Sequence, residues 1–188
     1  MKLSLLSVCP AIALLTACGG SGSQVGASFA DMSDQLESDA ALIEDLGGTP
    51  KSSAIANGSG TYSGVAGYIL TIDGDESRLT SNMEMTVAFS GNNVSGEMTN
   101  FVTEDEDVVG GSLSLSNGSI DSSGSEVLIS ADMGGNLTGP EGEDVSVDGA
   151  VLAGYGGANA QYIGVLMGGD FDVDDAEGSF EGVGILAR

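Results

Sequence analysis

Residues 144–188 read DVSVDGAVLAGYGGANAQYIGVLMGGDFDVDDAEGSFEGVGILAR. Val145, Val147, Val151 and Tyr155 mark one apolar run, Tyr162 to Val173 a second, and Phe180 to Leu186 a third. Glycines at 149, 154, 156, 157, 164, 168, 169, 178, 182 and 184 interrupt them. A flat sheet loses stability at each such position. A small closed barrel uses them, because bends, bulges and close interior approach favour a residue without a Cβ. The stretch therefore predicts three consecutive strands of a tightly curved sheet.

Working backwards, a period of two continues. Residues 60–70, GTYSGVAGYIL, predict a strand from Tyr62, a glycine bend, and a second strand reaching Asp73. From Asn82 to Ser90, Met83, Met85, Val87 and Phe89 alternate with Glu84, Thr86, Ala88 and Ser90. Ser90-Gly91-Asn92-Asn93 predicts a hairpin turn, since glycine and asparagine tolerate positive φ. Val94 to Phe101 returns, the acidic loop Glu104 to Asp107 follows, and Ser112 to Ser116 is the next strand. Asn117-Gly118 reads as a further turn. Val127, Ile129, Ala131 and Met133 then share one face, before a loop at Gly139-Pro140-Glu141-Gly142. The fold class is all-β: a Gly-rich antiparallel up-and-down barrel of eight or nine strands, spanning residues 58–188.

Ahead of it the period changes. Phe29, Met32, Leu36, Ala40, Ile43 and Leu46 recur every three or four residues, predicting an amphipathic helix over 28–48. Asp31, Ser33 and Asp34 suit its start, and Gly47-Gly48 with Pro50 its end. Its apolar stripe is expected to pack on the barrel's rim or outer wall.

The first residues read as an address. Met1-Lys2 precedes an apolar run from Leu3 to Leu15, too short for a membrane span, which ends Leu15-Thr16-Ala17-Cys18-Gly19. That stretch resembles the lipobox of bacterial lipoproteins. The resemblance implies a signal peptide over 1–17, acylation of Cys18, and a flexible tether over 18–27. With Gly19 rather than Asp after the cysteine, it implies delivery to the outer membrane. Acyl chains contribute about 0.8 kcal/mol per buried CH₂, so two or three of them anchor a protein stably.

Composition excludes much. Twenty-eight acidic residues against 4 basic ones give a net charge of −24, which disfavours nucleic acid and anionic lipid as partners. The chain has no histidine and 2 cysteines, Cys9 and Cys18. Ser-His and Cys-His catalytic pairs and Cys/His metal clusters are therefore ruled out. The carboxylate pairs fall in turns, where solvent keeps them ionised, so no enzyme and no cofactor are expected. Asp170, Asp172, Asp174 and Glu181 occupy ligand positions of a helix–loop–helix calcium register, but Asp175 stands where that loop requires glycine, and the flanks read as strands. Tyr62, Tyr68, Tyr155, Tyr162 or Met83 could in principle ligate haem iron, although core filling is the commoner use of such residues.

Gly149 to Ala160, GAVLAGYGGANA, resembles the G-x-F-x-G…A signature of the barrel domain in the transferrin-binding protein B and factor H-binding protein group. Ile163-Gly164 and the terminal Gly182 to Arg188 resemble that group's following and closing strands. The likeness spans residues 58–188 in pattern and is specific over roughly the last 45. It implies an eight-stranded, lipid-anchored barrel at a Gram-negative cell surface. The expected role is a monomeric, non-catalytic binding module that takes a partner protein or a small iron-related ligand through its loops. The transferrin binders carry two lobes and handle domains, whereas this chain predicts one barrel. The alternative is a structural acidic envelope lipoprotein without a specific ligand.

Overall fold

A computed structural model of the protein describes residues 28–46, 58–124, 127–157, 160–174 and 176–188, with helix side chains described as far as residue 41. The signal segment, Cys18 and the tether lie outside these residues. The elements are α1 (Phe29–Leu46), β1 (Ser59–Ile72), β2 (Asp75–Ala88), β3 (Asn93–Thr103), β4 (Val108–Asp121), β5 (Leu128–Thr138), β6 (Asp144–Gly156), β7 (Tyr162–Val173) and β8 (Ala176–Ala187). Each strand pairs antiparallel with the next, and β8 returns to pair with β1, closing an eight-stranded up-and-down barrel.

Two sequence expectations are corrected. Residues 59–72 form one strand without the expected glycine bend, so of eight or nine strands the count is eight. Asn117-Gly118 is not a turn but part of β4, where the β4–β5 register slips between Ser116 and Ser119. Asn117 takes a left-handed φ of 50° there and its side-chain amide donates to Asp132 Oδ2 at 2.8 Å. Asparagine tolerates positive φ in a bulge as readily as in a turn.

Side chains alternate across the wall. Tyr62, Met83, Met85, Val87, Met98, Phe101, Ile129, Met133, Ile163 and Leu186 fill the interior, each almost wholly buried. Glu84, Glu97, Asp132 and Asp148 lie exposed outside. Met83, Met85, Met98, Met133 and Met167 are all core. Glycines admit the aromatic rings: Phe171 faces Gly178, Phe180 faces Gly169, and Tyr68 faces Gly182 directly across the strands. A Cβ at Gly182 would lie 2.7 Å from the Tyr68 ring. The barrel thus alternates ring and glycine to fill a narrow lumen. The buried core residues among the described ones all lie between Met32 and Leu186.

Helix α1 lies on the outer wall, as its stripe predicts. Met32 packs with Val65 and Val102, with Phe29 beside them, and Leu36 rests over Gly67. Ala40, expected on the same stripe, is exposed. Ser28 Oγ accepts from Asp31 N–H at 3.1 Å, and the Asp31 carboxylate accepts from Ser28 N–H at 3.4 Å. This is a reciprocal cap in which Asp replaces the usual Glu. Glu106, from the β3–β4 loop, accepts from Phe29 N–H at 3.0 Å, pinning the helix start to that end of the barrel.

The outer wall also places like charges opposite each other: Glu84 with Glu97, Asp148 with Asp170, and Asp172 with Glu177. Directly opposed like charges destabilise a sheet. Glu97→Lys is expected to raise stability by about 0.5–1 kcal/mol in urea titrations, with the gain shrinking in about 1 M salt. No gain at low salt would show that solvent already screens the pair.

Candidate functional site

The two mouths of the barrel differ. At one, Tyr62, Tyr155 and Phe89 pack ring against ring, with Tyr155 centred 5.8 Å from each of the others. The Tyr62 hydroxyl donates to Ala160 O at 3.0 Å. The Tyr155 hydroxyl is buried with no hydrogen-bond partner among the described residues. Burial pushes both phenols above their ordinary pKa, and the Arg188 guanidinium partly offsets this at each. Aromatic side chains fill this end.

The other mouth is open. Beneath the turns at Asp73-Gly74, Glu104 to Asp107, Gly139 to Glu143 and Asp174 lies a pocket of about 330 Å³. Its floor is Tyr68, Phe171 and Phe180, and its walls include Leu70, Ile72, Leu79, Val109, Leu137, Val145, Val147 and Val173. Strand geometry explains the lining, because alternate residues of all eight strands point inward up to the turns. Besides the Tyr68 phenol, its polar side chains are Ser77, Thr103 and Glu143.

The Tyr68 hydroxyl donates to Met98 Sδ at 3.2 Å and lies 2.9 Å from Ser81 Oγ. Tyr68 has one proton to give, so Ser81 donates to it, and the polar chain closes inside the core. Desolvation holds this phenol neutral far above its usual range, against the opposing pull of Ser81. Floor polarity is thereby used up internally, leaving the rings to face the pocket.

Glu143 is positioned by its loop. Gly139 N–H donates to Glu143 O at 2.9 Å and Gly142 N–H to Gly139 O at 3.0 Å, with Gly142 at φ 96°. The Glu143 carboxylate accepts from Glu141 N–H at 3.1 Å and lies against Gly139, where a Cβ would collide with it. The half-buried carboxylate therefore stands at the pocket's lip. Each of the four surrounding turns carries acid: Asp73, Glu104 to Asp107, Glu141 with Glu143, and Asp174. Among the described residues the basic ones are Arg78 and Arg188. Arg188 belongs to the opposite mouth, and Arg78 is exposed on the outer wall. An apolar cup with a rim of one sign focuses its field outward and concentrates cations at the opening.

The calcium candidates are not brought together. Asp170, Asp172 and Asp174 follow one another at alternate positions on and just beyond β7, while Glu181 sits on β8 opposite Gly168. Among the described residues no group of three or more acidic, histidine or cysteine side chains could hold a metal ion. Of the haem candidates, Tyr62, Tyr68, Tyr155 and Met83 are packed inside the core, and Tyr162 is half-buried at the start of β7.

A second concavity, of about 630 Å³, runs between α1 and the outer wall. It continues an apolar row in which Leu152 faces Leu166, Leu166 faces Val183, and Val183 faces Gly67 beneath the helix. Leu166 is 59% exposed. Among the described residues no helix is long and apolar enough to cross a membrane.

Sequence reading missed the pocket and Glu143. A usable signal existed: Leu70, Ile72, Val145 and Val173 keep the inward apolar pattern up to acidic turns, leaving the last layer without a plug. Set against known proteins, the chain matches no family model and no curated protein.

Proposed function

We propose that the protein is an outer-membrane, surface-exposed lipoprotein, anchored through Cys18, whose barrel is a non-catalytic binding module. The lipobox-like residues Leu15 to Gly19 support the anchor, and the resemblance of residues 149–188 to the transferrin-binding-protein barrels supports the class. The observation that carries the binding role is the open apolar pocket of about 330 Å³ at the acidic mouth, of a size and lining typical of small-ligand sites. The occupant is a small ligand, with an iron-related one as the resemblance implies, or a segment of a partner protein gripped by the same loops.

The test is a neutral apolar dye, N-phenyl-1-naphthylamine, titrated into residues 28–188. The wild-type chain is expected to bind it with a fluorescence increase. Val145→Trp, which fills the cup from β6, is expected to lower the affinity at least tenfold with the far-ultraviolet circular dichroism unchanged. Ile72→Trp serves if that variant misfolds. Absence of dye binding, or binding unaffected by either filling variant, rejects the module and leaves the structural envelope reading. Mass spectrometry of the membrane-extracted protein checks the anchor, which a bare Cys18 thiol would remove.

A further inference from the structure

We infer that the pocket's ligand is a small organic cation with an apolar body, such as an alkyl- or arylammonium, its chain in the cup and its charge at the lip. The inference rests on the binding-module reading and adds the chemical class.

Three features of the same site converge on it. The first is the floor, where Tyr68, Phe171 and Phe180 present rings to a cavity otherwise lined by aliphatic side chains. Aromatic side chains offer a large apolar surface, so the floor takes the apolar body of the ligand. The second is Glu143, a half-buried carboxylate lining the pocket and held there by its own loop. One of its oxygens is engaged by a backbone N–H, and a carboxylate has acceptor sites left for a second donor. The third is the rim, where all four turns are acidic and, among the described residues, no basic one lines the pocket. A fatty acid or another anionic amphiphile would have to bring its carboxylate against Glu143 and through that field. An ammonium group at the same point is drawn in.

Size bounds the ligand further. A cavity of about 330 Å³ stands at the lower end of small-ligand sites, which run from roughly 300 to 1,000 Å³. That suits a single alkyl chain or a small aromatic amine.

The test uses three eight-carbon probes differing only in head group: octylammonium, octanol and octanoate, each displacing N-phenyl-1-naphthylamine from residues 28–188 at neutral pH and low salt. Octylammonium is expected to displace the dye at least tenfold more tightly than octanoate, with octanol between them. The advantage should fall several-fold in about 0.5 M salt, as screening predicts. Glu143→Gln is expected to weaken octylammonium about three- to tenfold while leaving octanol unchanged. Equal displacement by all three probes overturns the cation assignment and leaves the binding module standing. Failure of the dye itself to bind removes the module. Octylammonium binding that persists in Val145→Trp, read directly by titration calorimetry, shows adsorption to the acidic surface, which also overturns the assignment.

Discussion

Gly64→Val is expected to prevent the barrel from closing. Gly64 lies on β1 opposite Leu186 of β8, at the seam joining the first strand to the last. A Cβ there would collide with the Ile185 carbonyl oxygen, with Ile185 C at 3.0 Å and Leu186 Cα at 3.1 Å. These are backbone atoms of the partner strand, so no rotamer change relieves them and the seam itself must part. Overpacking in a dense interior costs about 1–3 kcal/mol when side chains can adjust. Here the expected loss exceeds that range, on the order of 4 kcal/mol or outright failure to fold. Gly64→Ala should show most of it, because the first added carbon already collides. Gly154 and Gly164 face each other on β6 and β7, and a Cβ at either meets nothing within 4 Å. Gly154→Thr and Gly164→Thr are expected to be neutral or stabilising by a few tenths of a kcal/mol, since glycine is a poor strand residue. Urea midpoints of the four variants decide the matter. A harmless Gly64→Ala would show that β1 and β8 do not approach closely.

Raising the pH should unfold the protein through its tyrosines. Tyr68 and Tyr155 are each 5% exposed, and burial raises both phenol pKa values above the ordinary 10. The sign follows from linkage: the unfolded chain releases these protons near pH 10, while the folded chain retains them. Stability is therefore full below about pH 10 and is lost as pH rises towards the folded values. Each phenol contributes a loss of about 1.4 kcal/mol per pH unit above 10. Tyr68 alone makes about 2 kcal/mol by pH 11.5, a substantial part of an ordinary domain's stability, and Tyr155 adds in the same direction. Tyr62 adds to this, less strongly, because Arg188 favours its ionised form. Lysine titration usually confuses such experiments, but the only lysines are Lys2 and Lys51. Absorbance at 295 nm and far-ultraviolet circular dichroism should change together in one cooperative step. Phenolate appearing while the strand signal persists would show that those hydroxyls reach water without unfolding.

Both expectations concern positions whose importance is invisible locally. The pattern of Met83, Met85 and Val87 announces a strand with one buried face, and the structure places all three in the core. Phe29, Met32 and Leu36 announce a helix with a stripe to bury, and they meet the outer wall. Asp73-Gly74 and Asn92 sit at chain reversals with positive φ, as their residue types suggest. Asn117 also has positive φ, yet β4 runs straight through it. Its neighbours across the sheet decide between turn and bulge, and they lie about 15 residues downstream. The glycine bend expected between Tyr62 and Asp73 is absent for the same reason, since β1 pairs along its length with a strand that comes more than a hundred residues later.

Alternation, helical spacing and turn chemistry are short-range properties, so the sequence by itself determined the all-β class, the leading helix and most strand positions. Closure, bulges and the open pocket depend on register between distant strands, which only the tertiary structure decided. The same holds for the acid rim: turns separated by about thirty residues become neighbours because the meander returns to one end at every second strand. Like charges then crowd around one apolar cup because the fold outweighs their screened repulsion.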